Sequence, residues 1–546
     1  MLAGEPGQAP DIGCEIPRTF LVKAHTRVKD LLHVMKTVRA RREGRGLSPR
    51  TKDNSEEKEH VAHTTFGNER RETTPLLIVS CRQRGRAIMS TLVLVTLVAL
   101  FFVHVSSRAV PSPAQLEWGG RIGSIIHYNM ATFAHTQGCS RSNWAGASNA
   151  KTFGAGLNGV TDTDSWGRAM AAANMSYAVY VAKHNCGFTT WPTQVKLPDG
   201  TPYSYSIQYS SCPECNVVRD FLATCKKYGI RPGFYYSIAT NTFLNVDKRS
   251  VQPNPLPGMA TVNQTQFYDI ALAQLEELWS FAENELFEIW FDGGLPTDAY
   301  FRTGITKLLQ RLQPNAATFN SWPIVNQTAI RWIGTENGYA PDPTWSSGSC
   351  GRGNAVCADC EGGNGGDPDS DDWCAAEVDS TLQLHDTWFY VEHLALHSLS
   401  DLQNSFHESL GRNANWLLDI APPPNSSVAG THLSRYSEFG DWLRNCYTTP
   451  VVEFSFLPGE TTHSVALPMG SSFDRVRLIE DVSAGQIVRA YSVEMTTGAL
   501  HLSNGTSIGA GKIDLLTSPV VAASAGGVRV TTDAPPTGLT VQLFSC

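Results

Sequence analysis

Residues 288–294, Glu288-Ile289-Trp290-Phe291-Asp292-Gly293-Gly294, decide the reading of this chain. The run Leu286–Phe291 is short and apolar, as a buried strand is, and it stops at a carboxylate followed by two glycines. A (β/α)-barrel presents its catalytic groups in this way, at the carboxyl ends of its strands, where the chain turns away into a loop. An aspartate that only caps a turn has the same local sequence. The flanking sequence therefore has to separate the two.

From about residue 115 to 447 apolar strands alternate with amphipathic helices. Strand-like runs are Ile122–Tyr128, Tyr177–Ala182, Arg231–Ser237, Leu286–Phe291, Ala317–Asn320, Arg331–Gly334, Thr387–Val391 and Trp416–Ile420. Helical periodicity lies between them, in Asp164–Ala173, Val217–Tyr228, Thr265–Glu283, Gly304–Leu312 and Ser398–Leu410. Eight strands with interleaved helices predict an α/β fold, a (β/α)8-like TIM barrel. A doubly wound sheet would show a Gly-rich phosphate turn after its first strand, and none is there. Beyond Pro450 the chain turns to short alternating runs rich in Val, Thr, Ser and Gly, which predicts a C-terminal antiparallel β-sandwich over 450–546. The Gly-, Asp- and Cys-rich stretch Ser346–Trp373 reads as a long loop over one face of the barrel.

Composition limits the function classes. The chain has 546 residues, 17% charged and 10% aromatic, with a net charge of −8. Residues 1–86 are basic, with 17 Lys+Arg against 11 Asp+Glu, so the remainder is strongly acidic. An acidic body argues against nucleic acid as a partner. Residues 87–105, AIMSTLVLVTLVALFFVHV, form the one long apolar run. Arg82, Arg84 and Arg86 precede it, so it reads as a signal anchor with 1–86 cytosolic or disordered. Alternatively it is a signal peptide starting at Met89. Both readings export the body, as a secreted protein or as a type II single-pass membrane protein with a lumenal or extracellular catalytic domain. Membrane contact would then run only through 87–105. Sequons at Asn174, Asn263, Asn326, Asn425 and Asn504, and eleven of the thirteen cysteines, lie on the exported side.

A second strand end carries an acid. Arg331-Trp332-Ile333-Gly334-Thr335-Glu336 again runs from apolar residues into a carboxylate. Two carboxylates facing one pocket are the minimum equipment of a glycosidase, and a gap of about 5–5.5 Å would make it a retaining one. His127 ends the first strand and Lys183-His184-Asn185 the second, placing groups there that can hydrogen-bond sugar hydroxyls. Trp144, Trp191, Trp290, Trp345 and Trp388 are candidates to stack on sugar faces or simply to fill the core. Cys212-Pro213-Glu214-Cys215 and Cys357-Ala358-Asp359-Cys360, the latter with Cys350 and Cys374, read as disulfide staples or, alternatively, as a zinc site. The odd count on the exported side leaves one thiol unpaired, with Cys186 the candidate.

An ordered set of motifs resembles glycoside hydrolase family 29, the α-L-fucosidases. It comprises Gln115–Trp118 with His127–Phe133, Ala182–Phe188, Gly233–Ser237, Glu288–Gly293, Ser409–Asn413 with Leu417–Pro423, and Phe473–Val476 with Glu480-Asp481. The resemblance covers about residues 115–546. It implies a retaining exo-α-L-fucosidase that releases terminal L-fucose from glycoconjugates or oligosaccharides by double displacement, needing no metal or organic cofactor. Asp292 falls on the family's nucleophile. Arg331–Glu336 is similar to the branch acting on α-1,3/1,4-linked fucose, whose acid/base falls on Glu336. His127 and His184 would bind fucose hydroxyls, with Trp290 beside the sugar. Trp144, Tyr236, Asn185 and Trp388 are further substrate-binding positions, and Glu377 and Asp379 would help frame the pocket. The chain departs from the family's usual Lys-His-His-Asp at Asn185-Cys186 and from its Glu-Trp at Asn143-Trp144. A protein that binds fucose without hydrolysing it is the alternative those departures raise. The partner implied is a fucosylated glycan.

Overall fold

The computed structural model describes residues 108–546, apart from 322–323, 326, 349, 351–363, 499 and 523–525. The segments 1–86 and 87–105, the Asn326 sequon and the Cys357–Cys360 pair lie outside the described residues. Among those described, no helix is long and apolar enough to cross a membrane.

Eight parallel strands close into a barrel: β1 (Ile122–Ile126), β2 (Tyr177–Lys183), β3 (Arg231–Ser237), β4 (Glu288–Asp292), β5 (Ala317–Phe319), β6 (Ala329–Trp332), β7 (Ala376–Ser380) and β8 (Ala414–Ile420). Closure is made by β1, which pairs with β2 on one side and β8 on the other. Helices run on the outside, among them α1 (Thr163–Ala172), α2 (Val217–Tyr228), α3 (Gln264–Ser280), α4 (Ala299–Leu312), α5 (Leu399–Ser409) and α6 (Gly430–Tyr447). Local chemistry starts and stops them. Asn263 with Gln266, and Ser398 with Asp401, form capping boxes at the starts of α3 and α5. Gly229, at φ 68°, ends α2 in the left-handed conformation.

The strands are buried on both faces, and period-two alternation sorts their side chains. In β4, Ile289 and Phe291 join the layer between strands and helices, whereas Trp290 points into the barrel with Tyr177, Val179, Tyr235, Phe319 and Leu417. One expectation is overturned here. Thr387–Val391 is not a barrel strand; the seventh strand is Ala376–Ser380, every residue of it buried. Its inward side chains, Glu377 and Asp379, are carboxyls, so the apolar signature of a buried strand is missing from its sequence.

After α6 come two four-stranded antiparallel sheets. One has the order β9 (Val452–Ser455), β16 (Leu539–Phe544), β11 (Ser472–Glu480) and β14 (Lys512–Val521). The other has β10 (Thr462–Ala466), β15 (Gly527–Thr532), β12 (Tyr491–Met495) and β13 (His501–Gly505). Phe473, Val476, Leu478, Val493, Val528, Val530, Val541 and Leu543 fill the core between them. Asn413, at the entry to β8, joins the sandwich to the barrel. Its Oδ1 accepts from Ala510 N at 2.8 Å, and its Nδ2 donates to the Thr344 carbonyl at 3.1 Å and to Ser346 Oγ at 2.9 Å. The Cys446–Cys546 disulfide ties α6 to the last residue of the sandwich.

Candidate active site

At the carboxyl end of β4, alternation aims Glu288, Trp290 and Asp292 inward, one layer above another. Trp290 stacks on Tyr235 of β3 (5.2 Å between centroids) and on Phe319 of β5 (3.9 Å). Asp292 then emerges at the rim, where Ser237 Oγ donates to its Oδ2 at 3.2 Å. Gly293 and Gly294 both have positive φ, 71° and 73°, and a Cβ on Gly293 would lie 2.2 Å from the Ala239 methyl. Only glycine fits that exit from the strand. Lys183 is buried nearby, with Nζ donating to the Ser237 carbonyl. Burial draws its pKa down to about 7, while the Asp292 carboxylate favours the charged ammonium.

Glu336 leaves the same rim in the loop after β6. Trp388 Nε1 donates to its Oε2 at 3.0 Å. Partial burial raises the Glu336 pKa, the indole bond lowers it, and the carboxylates of Asp386 and Asp292 raise it further. The net displacement is upward, the direction a general acid needs. Beside it Trp332 Nε1 donates to Asp379 Oδ1 at 2.8 Å, and Asp379 is itself held well above the usual range, first by burial and then by Glu336.

His127 and His184 complete the pocket. Their rings lie 6.0 Å apart; His127 packs against Trp388 (5.0 Å) and Phe389 (5.1 Å), and His184 stacks on Tyr235 (5.8 Å). Burial takes the His184 pKa down to about 4, so at neutral pH it is an uncharged imidazole suited to hydroxyl groups. Below this layer, Glu377 Oε2 accepts from Trp290 Nε1 at 3.1 Å and Oε1 from Tyr177 at 2.7 Å, while Glu288 Oε2 accepts from Trp118 Nε1 at 3.0 Å. Both acids are buried and both are pushed upward, Glu288 to about 7. Two neighbouring carboxyls in such a place do not both ionise.

The structure thus brings together Asp292, Glu336, His127, His184, Trp290 and Trp388, and leaves three expected positions out. Tyr236 points outward, its hydroxyl on Gln274 of α3 at 2.7 Å. Its neighbour Tyr235 is the site residue, because β3 presents alternate side chains inward. Trp144 sits apart from the pocket, donating to the Pro257 carbonyl and packed against Tyr205. Asn185, next to His184 in the chain, uses its Oδ1 to accept from Cys139 N at 2.8 Å, so it braces a loop. Cys186 is not the free thiol: it pairs with Cys139, and Cys225, buried in α2, is free. Cys212–Cys215 and Cys350–Cys374 are disulfides, which removes four thiolates from any zinc reading. Tyr235, Trp332, Phe389 and Asp379's bond to Trp332 were hidden in the sequence; for Tyr235, the period-two phase with Ser237 was the available signal.

Residues 101–446 match the family model described as alpha-L-fucosidase. The chain is similar to alpha-L-fucosidase 1 of Arabidopsis thaliana, 26% identical over 383 residues, which are 68% of this chain and 67% of that protein. Among solved structures, the fold is shared with a Ruminococcus gnavus GH29 fucosidase in complex with fucose. That likeness has a TM-score of 0.66 and 19% identity, and covers 80% of this chain and 95% of the other.

The floor of the pocket makes a test. Glu377→Leu orphans the Trp290 and Tyr177 donors, each at a cost of about 1–3 kcal/mol, and should lower the urea midpoint accordingly. Glu377→Gln, which can still accept, should lower it far less.

Proposed function

The chain belongs to the α-L-fucosidase family, and on that premise we propose that Asp292 is the nucleophile and Glu336 the acid/base of a retaining exo-hydrolysis of terminal α-L-fucose. The protein is a glycoside hydrolase with α-L-fucosidase activity. The observation that carries the assignment of roles is the pair of rim carboxyls in unlike settings. Asp292 has a hydroxyl donor and a buried lysine beside it, and Glu336 has an elevated pKa and Asp292 within its field.

In the first step an Asp292 oxygen attacks C1 of fucose while Glu336 gives its proton to the leaving oxygen. In the second, Glu336 takes a proton from water, which attacks C1 and frees fucose and Asp292. His127 and His184 bind hydroxyls, and Trp290 and Trp388 wall the sugar. Asn185 and Cys186, where the chain departs from the family pattern, are tied to Cys139 by a hydrogen bond and a disulfide. The Arg331–Glu336 motif supports a preference for α-1,3/1,4 linkages. Export of the body is supported by the disulfides and by the exposure of Asn174, Asn263, Asn425 and Asn504.

Asp292→Ala should cut fucose release roughly 10³-fold or more while the protein stays folded; near-normal turnover overturns the assignment. Wild-type enzyme offered α-1,2, α-1,3, α-1,4 and α-1,6 fucosylated oligosaccharides should release fucose fastest from the 1,3 and 1,4 members. Preference for 1,2 or 1,6 removes the branch assignment. Trp388→Phe deletes the indole bond that favours ionised Glu336, so the Glu336 pKa rises. A general acid works only below its pKa, so the basic limb of the pH–rate profile should move to higher pH; an unmoved or lowered limb contradicts the role of Glu336. Enzymatic removal of N-glycans from protein made in a secreting eukaryotic cell should reduce its mass, and an unchanged mass counts against export.

A further inference from the structure

Asp419 is buried at the end of β8, and nothing in the mechanism above uses it. Strands β1 and β8 pair with Ile126 opposite Ile420, and His127 N donates to the Ile420 carbonyl at 3.0 Å. That register, with Asp419 opposite Ile125, brings the inward side chains of His127 and Asp419 together, with His127 Nδ1 2.8 Å from Asp419 Oδ1. The other neighbours of the imidazole are Trp388, Phe389, His184 and Tyr235, all through their rings. With Nδ1 committed, Nε2 is the ring nitrogen left for a ligand. The second carboxyl oxygen, Oδ2, is buried and has no hydrogen-bond partner among the described residues.

We propose that Asp419 is a positioning residue that, as a neutral acid, donates to His127 Nδ1 and so fixes the imidazole with Nε2–H aimed at a fucose oxygen. This rests on the fucose-binding role given to His127 above. Three proton placements compete. An ionised Asp419 accepting from Nδ1–H would bury a charge with one oxygen bare, which is costly without a partner. The titratable groups facing the pair are His184, Tyr235 and, from α6, Tyr436, whose hydroxyl donates to the Asp419 backbone carbonyl; none is a standing cation. A proton on Oδ2 would strand a buried donor. A proton on Oδ1 is used in the bond to Nδ1 and leaves only an unpaired acceptor, the smallest penalty of the three. Burial favours the uncharged form of both members, holding the Asp419 pKa well up and the His127 pKa well down. His127 then serves as a donor, and selects a sugar oxygen with a free lone pair.

The test is steady-state kinetics on an aryl α-L-fucoside with wild type, D419N, D419A, H127A and H127A/D419A. Release of fucose by the wild type reports on the fucosidase reading itself, and the ratios among variants report on Asp419. D419A should lose roughly tenfold or more in kcat/KM. D419N keeps an N–H to give to Nδ1 and should stay within about threefold. In the H127A background, D419A should add less than about threefold. In histidine-¹⁵N-labelled protein, His127 should show the Nε2–H tautomer in both wild type and D419N. If D419A does not fold, D419N and the spectrum decide. An Nδ1–H tautomer, a D419N loss as large as that of D419A, or a D419A without effect overturns the proposal.

Discussion

The bond between an indole N–H and a carboxyl organises this barrel from floor to rim. Trp118 holds Glu288, Trp290 holds Glu377, Trp332 holds Asp379 and Trp388 holds Glu336, all at 2.8–3.1 Å. A buried indole needs an acceptor and a buried carboxyl needs donors, so each supplies what the other lacks. An interior of aliphatic side chains alone would pack as well but could not set ring orientation so narrowly. Because Trp290 is held at its nitrogen and stacked on both faces, the site rests on a rigid floor.

The same arrangement grades the electrostatics. Deep in the barrel, carboxyls are nearly cut off from water and lean toward the neutral form. At the rim, Glu336 is only partly enclosed and shifts upward in part through Asp292. Asp292 has instead a hydroxyl donor and a buried amine beside it. Two acids of one chemical kind are thus placed in unlike surroundings, which is how a hydrolase assigns opposite roles to a pair.

Much of this was legible in the chain. The strand ends at Asp292 and Glu336 show as apolar runs that halt at an acid, and the barrel shows as eight strand-like runs. The misreadings have physical causes. Seven of those runs overlap barrel strands, but Ala376–Ser380 escaped because its inward positions are Glu377 and Asp379, acids paired with tryptophans far away in sequence. Thr387–Val391 has the aromatic content of a strand, but it is a loop from which Trp388 and Phe389 pack on His127. The sequence points to Tyr236, one position from the inward-facing Tyr235, and a slip of one residue in a strand exchanges its two faces. The register Tyr235 opposite Trp290 settles the phase.

Residue types and their local order determined the fold class, the two rim carboxylates and the glycines that let the chain turn, because periodicity, strand length and φ preference are local properties. The pairing of Cys186 with Cys139, the unpaired state of Cys225, the phase of β3 and the meeting of His127 with Asp419 are tertiary decisions. Their partners lie 47 to 292 positions apart, and only closure of the barrel brings such residues within bonding distance.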